Sequence, residues 1–187
     1  MQQLIRGRVL DFHADPQDTA DNHRFWEDGA ILVDDGRIVA VGDHAELTRD
    51  GLDEIDHRPH LILAGFIDPH IHFPQLQVIA SWGAQLLDWL NTYTFPAEAE
   101  FADPAHATRM AGLFLDQLTA HGTTTAVAFC SSHKASAEAL FSAAHDRDMA
   151  MIAGKVMMDR NAPAAVLDTP QQGHDDSAAL IQAWHGK

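Results

Sequence analysis

The sequence predicts an α/β chain: a β-rich portion over residues 1–63, then parallel β-α-β units over residues 64–187. Three observations predict it. Residues 1–63 hold short β-branched runs separated by turn signals. Beyond them, apolar strand-like runs alternate with segments of helical period. At the junction, Ala64-Gly65-Phe66-Ile67-Asp68-Pro69-His70-Ile71-His72-Phe73-Pro74-Gln75 carries an apolar strand into two histidines and a Pro-Gln turn.

The elements follow in order. Leu4 to Phe12 reads as a first strand, anchored by Ile5, Val9 and Phe12. Ala14 to Phe25 is polar and turn-rich. Ala30 to Val33 and Ile38 to Val41 flank an Asp-Gly turn, a hairpin signal. Asp43 is a cap for a short helix from His44 to Arg49. Leu61 to Ile67 returns as a strand. Gln75 to Thr94 has no clean period and reads as a long loop bearing Trp82, Trp89 and Tyr93. Asp103-Pro104 opens a helix with Met110, Leu113, Phe114 and Leu118 at helical spacing, and Gly122 ends it. Thr123 to Cys130 is a strand of buried type. Ser136 to Arg147 is helical, with Leu140, Phe141 and Ala144 on one face. Met149 to Met158 is a third strand. Asp175 or Ser177 caps a last helix through Trp184. Right-handed crossovers bring the strand ends to one side.

Composition narrows the function classes. The net charge of −15 argues against nucleic-acid binding, which needs basic surface. No apolar run approaches the roughly 18 residues of a membrane span, and Met1 to Arg6 lacks a signal peptide's apolar core. The single cysteine, Cys130, excludes an internal disulfide and fits a reducing, cytoplasmic compartment. Its neighbours Ala128, Phe129 and Ser131 favour a buried thiol over a nucleophile.

The histidine pair is the strongest chemical signal. Residues i and i+2 of a strand share a face, so His70 and His72 point the same way, roughly 6–7 Å apart along the backbone. That spacing suits two nitrogen ligands on one metal ion. In isolation, His-x-His also fits two solvated histidines, and the chain has 13. The context favours ligands, because the pair closes an apolar strand where Pro69 ends ladder pairing. Gln75 offers both a donor pair and an acceptor, which fits a ligand with a mixed polar edge or a glutamine that caps its own turn. Trp89 reads equally as a pocket wall or as an aromatic that packs a core. His13, His23, His57 and His60 read as surface residues. Glu98 and Glu100 read as loop or helix-start residues, and His133 lacks a partner at ligand spacing. Asp159, at a strand end, reads as structural ahead of a contact with the pocket, and Arg160 and Asn161 read as turn residues.

Gly-Phe-Ile-Asp-Pro-His-Ile-His resembles the first barrel strand of the amidohydrolase superfamily. Further blocks resemble its guanine-deaminating branch: Phe73-Pro74-Gln75, Leu87-Asp88-Trp89-Leu90, Tyr93 to Glu98, Gly122 to Ala126, and Gly154 to Asn161. The resemblance implies the N-terminal part of a (β/α)8 barrel, its first strands and helices, preceded by a small β-sandwich portion. It implies zinc held by His70 and His72, and a small-molecule purine, guanine, contacted by Gln75 and enclosed by Phe73 and Trp89. Zinc lowers the pKa of bound water toward about 7, and a carboxylate shuttles protons to the leaving amino group. The resemblance places the other ligands and that carboxylate on later strands, so no catalytic residue beyond the two ligands is expected here. A complete barrel takes roughly 250 residues, more than the 187 present. The expectation is an N-terminal portion or truncated product, inert alone, of an enzyme that is a homodimer when complete. Another aminopurine, a pterin or a triazine is the alternative substrate. A truncated module without turnover is the alternative to an enzyme.

Overall fold

The turn at Asp35 and Gly36 organises the N-terminal sheet. Both residues have positive φ, 46° and 76°, the handedness that a tight hairpin between twisted strands requires. In the computed structural model, which describes residues 2–83 and 85–187, this turn joins β2 (His23–Asp34) to β3 (Arg37–Asp43). β1 (Gln2–Phe12) pairs antiparallel with β2, and β4 (Asp53–Leu63) pairs parallel with β1. The strand order is β3-β2-β1-β4. Leu4, Val9, Ala30 and Leu32 are buried; Phe12, expected as an anchor, is 56% exposed. Asp43 caps α1 (His44–Leu47) by accepting from the Ala45 N–H at 2.9 Å.

β4 corrects the expected strand from Leu61 to Ile67. It begins at Asp53, closes at Leu63, and a separate strand starts at Phe66. Its polar first half forms a strand because β1 supplies a ladder, which no apolar pattern announced. The chain divides into two compact units, Met1–Ala64 and Gly65–Lys187.

The second unit is a parallel sheet in the order β5-β6-β7. β5 spans Phe66–His72, β6 spans Thr123–Phe129 and β7 spans Ala150–Gly154. The chain enters β5 through a close approach: a Cβ on Gly65 would lie 2.1 Å from the Thr124 hydroxyl. The expected loop from Gln75 to Thr94 is in large part helical. A 3-10 turn, Phe73–Val78, leads to α2 (Leu86–Trp89), a π-turn, Leu90–Thr94, and α3 (Phe95–Ala99). Prolines in the first turns at Pro74 and Pro96 favour this, since their missing N–H costs nothing there.

α4 (Pro104–Ala120) starts as expected, with the Asp103 carboxylate accepting from the Ala105 N–H at 3.0 Å. It buries Met110, Phe114 and Leu118, but Leu113 is 45% exposed, and Ala107, Ala111 and Leu115 complete the face. Gly122, at φ 80°, turns the chain back, and its carbonyl accepts from the Phe66 N–H at 2.8 Å. α5 (Lys134–His145) buries Leu140 and Ala144. α6 (Pro170–Trp184) starts ahead of the expected caps, because the Thr169 hydroxyl accepts from the Gln172 N–H at 3.1 Å.

One face of this sheet is closed. Ala126 and Ala128 are buried in the core with α4 and α5 residues. The other face is open: Ile67 is 68% exposed and Ile152 is 64% exposed. Apolar residues on both faces mark a parallel sheet meant for burial on both sides. Three parallel strands, each followed by helix, form the opening part of a (β/α)8 barrel.

Candidate metal and purine site

The histidine pair owes its geometry to an interrupted ladder. Pro69 has no N–H to give, and the β5–β6 register shifts between Asp68 and Ile71. The His70 N–H turns to the Asp68 carboxylate instead, at 3.0 Å. Both imidazoles emerge at the end of β5, their ring centroids 5.3 Å apart and tilted by 60°. Burial, and then the neighbouring His70, hold the His72 pKa below the ordinary histidine value. The neutral ring is the form that carries a lone pair for a metal. As a donor set the pair therefore fits two positions of a nitrogen-ligated zinc. Among the described residues, no group of three or more His, Cys, Asp or Glu could hold a metal ion.

Phe129 supports the pair, and sequence reasoning missed it. It is the register partner of His72 across β5 and β6. Its ring stacks on His72 at 5.0 Å and 18°, and meets His70 at 5.0 Å. A contact set by parallel strand register leaves no local trace in the sequence.

His70, His72, Gln75 and Trp89 line one cavity of about 660 Å³. Phe73 lies elsewhere. It is fully buried in the core, its ring edge-on to Phe101 at 5.0 Å and tilted against Phe114 at 5.3 Å. The turn after His72 sends Phe73 inward, so it holds the turn and does not line the cavity.

Glu98 is the second residue that sequence reasoning passed over. It is buried, 5% exposed, on the inner face of α3. The Gln75 Nε2 donates to its Oε1 at 3.4 Å, a long contact. Among the described residues its buried Oε2 has no hydrogen-bond partner, nor has the Thr94 hydroxyl one turn earlier. Burial pushes the Glu98 carboxyl above the ordinary glutamate value, and the Gln75 bond only partly offsets it. Spacing from Tyr93 to Glu98 carried no such signal, because burial here comes from packing between segments far apart in sequence.

The remaining candidates do not line this cavity. Cys130 is buried, and burial pushes its thiol up to about 12. Asp159 pairs with Arg160 at 3.1 Å on the surface, and Asn161 sits at φ 57° in a turn. Burial lowers the His133 pKa, and its Nε2 has no hydrogen-bond partner among the described residues. His13, His23, His57 and His60 are exposed.

Comparison with known proteins places this geometry in a class. Residues 61–186 match the amidohydrolase family, and residues 29–50 match a bacterial imidazolonepropionase-like composite domain. The chain belongs to the amidohydrolase family. It is 42% identical to the guanine deaminase of Escherichia coli K12, an alignment covering 98% of this chain and 43% of that protein. The guanine deaminase structure from Bradyrhizobium japonicum superposes with a TM-score of 0.92 at 40% identity, covering 100% of this chain and 42% of that one. The guanine deaminase of C. acetobutylicum, solved with guanine bound in its active site, gives a TM-score of 0.84 at 30% identity, over 100% of this chain and 44% of that one. The chain thus spans less than half the length of the relatives it matches. Among the described residues, no helix is long and apolar enough to cross a membrane.

Proposed function

We propose that the chain is the N-terminal portion of a guanine deaminase, converting guanine and water to xanthine and ammonia in purine catabolism. The observation that carries this is a single cavity wall bearing the paired imidazoles, the Gln75 amide and the Trp89 ring. The likeness to guanine deaminases along nearly the whole chain supports it. His70 and His72 would hold zinc, which when bound supplies a water acidified for attack at neutral pH. Asp68 holds the backbone N–H of His70, and Phe129 stacks on the His72 ring. Gln75 reads the polar edge of the base, and Trp89 gives its flat face an aromatic wall. Later strands would add the remaining ligands and the proton-shuttling carboxylate. The open sheet face, with Ile67 and Ile152 uncovered, is where they would close the barrel. One free cysteine fits action in the cytoplasm.

A substrate panel on the complete enzyme tests this. Guanine is expected to exceed other aminopurines, pterins and triazines by about a hundredfold or more in kcat/KM, with xanthine as product. A pterin or triazine turned over faster than guanine would contradict it. Residues 1–187 alone are expected to form no xanthine, since two ligands do not complete a zinc site.

A further inference from the structure

Glu98 is an anomaly that stability does not explain. A buried carboxylate normally gathers a cation or several N–H donors. This one has a single long bond, 3.4 Å, to a residue 23 positions earlier in the chain. Its other oxygen has no partner among the described residues. What the arrangement does accomplish is to constrain Gln75. A carboxylate oxygen can only accept, so the amide must turn its Nε2 toward Glu98. The Gln75 Oε1 is then the amide atom left for a ligand in the cavity that Gln75 lines. Without Glu98 the amide could rotate by half a turn and present N–H donors there instead.

We propose that Glu98 is a positioning residue that locks the Gln75 carboxamide with its Oε1 toward the ligand, so that this position selects a purine edge carrying N–H donors. The inference rests on Gln75 reading the base, as proposed above. It narrows the chemistry that Gln75 accepts: a ring N–H or amino group is favoured there over a bare ring nitrogen.

The test is a double-mutant cycle in the complete enzyme, with metal content measured for each variant. Glu98→Gln keeps the shape of the side chain and frees the amide to flip. It is expected to raise KM for guanine about tenfold, the scale of one neutral hydrogen bond, with kcat changed less than about twofold. In a Gln75→Ala background, Glu98→Gln is expected to add nothing further. A pair of competitive inhibitors differing only by N–H against bare nitrogen at that edge is expected to lose its discrimination in Glu98→Gln. The exchanged variant, Gln75→Glu with Glu98→Gln, keeps an acceptor facing the cavity and is expected to bind guanine better than Glu98→Gln alone.

Three results would overturn the inference while leaving the guanine reading intact. They are additive losses in the cycle, unchanged inhibitor discrimination, or an exchanged variant no better than Glu98→Gln. Unchanged guanine kinetics in Gln75→Ala would overturn the inference together with the reading of Gln75 beneath it, whereas the guanine reading itself falls only in the substrate panel.

Discussion

Two buried carboxylates in the C-terminal unit solve the same physical problem in opposite ways. Asp168, just before α6, forms a buried ion pair with Lys155, at the end of β7. Its Oδ1 accepts from the Met158 N–H at 2.9 Å, and its own N–H donates to the Met158 carbonyl at 2.8 Å. Burial pushes this carboxyl upward, but the Lys155 bond, the Met158 N–H and the ammonium charge together hold it below the ordinary aspartate value. Glu98 has none of this support, and its carboxyl is raised. The difference teaches how to tell a clamp from a working group. Asp168 has both oxygens satisfied and ties the segment after β7 to the start of α6. Glu98 is left half-satisfied beside a residue that lines the cavity, and groups held at such a cost cluster at functional sites.

Removing the clamp's cation gives the largest expected effect. Lys155→Met strands the Asp168 charge in the interior and is expected to lose about 3–5 kcal/mol of stability. Chemical denaturation measures it. Glu98→Gln removes a poorly supported charge and is expected to be neutral or stabilising by about 1 kcal/mol. A loss from Glu98→Gln as large as that from Lys155→Met would erase the distinction.

The two groups should also give opposite pH dependence. Asp168 is depressed in the fold, so its contribution is present above the ordinary aspartate pKa and is lost as pH falls through its lowered value. Glu98 is raised, so its contribution is present below the ordinary glutamate pKa and is lost as pH rises through its raised value. Stability profiles against pH should therefore change slope in opposite senses in Asp168→Asn and Glu98→Gln. Slopes of the same sign would show that one of the two environments has been misread.

How much of this the sequence revealed depends on how local each signal is. Asp103-Pro104 announced α4 because cap and proline act within one turn. Thr169-Pro170 carries the same signal for α6, but Asp175 and Ser177 sit deeper in a polar stretch and drew the expected start too late. The His70 and His72 pair was legible because two-residue spacing on a strand is a local fact. Phe129 and Glu98 were not, because each takes its role from segments that only folding brings together. Phe73 was assigned to the substrate because it follows the histidine pair in sequence. In the fold the turn directs it into the core.

Phe129 sharpens the comparison at a smaller scale, since it touches the His70 and His72 rings by packing alone. Phe129→Ala is expected to lower metal affinity about tenfold, the lower end for residues that orient ligands. Competition with a chelator would read it. Unchanged affinity would reduce Phe129 to a core residue at the end of β6.

The central claim is that the end of β5 is half of a metal centre. Elemental analysis of the complete enzyme, beside the His70→Ala and His72→Ala single variants and the double variant, tests it most directly. The account predicts stoichiometric zinc in the parent, loss of zinc from each single variant and no xanthine formation by any of the variants. A double variant that retains full zinc would contradict it, because the metal would then be held by residues other than these two.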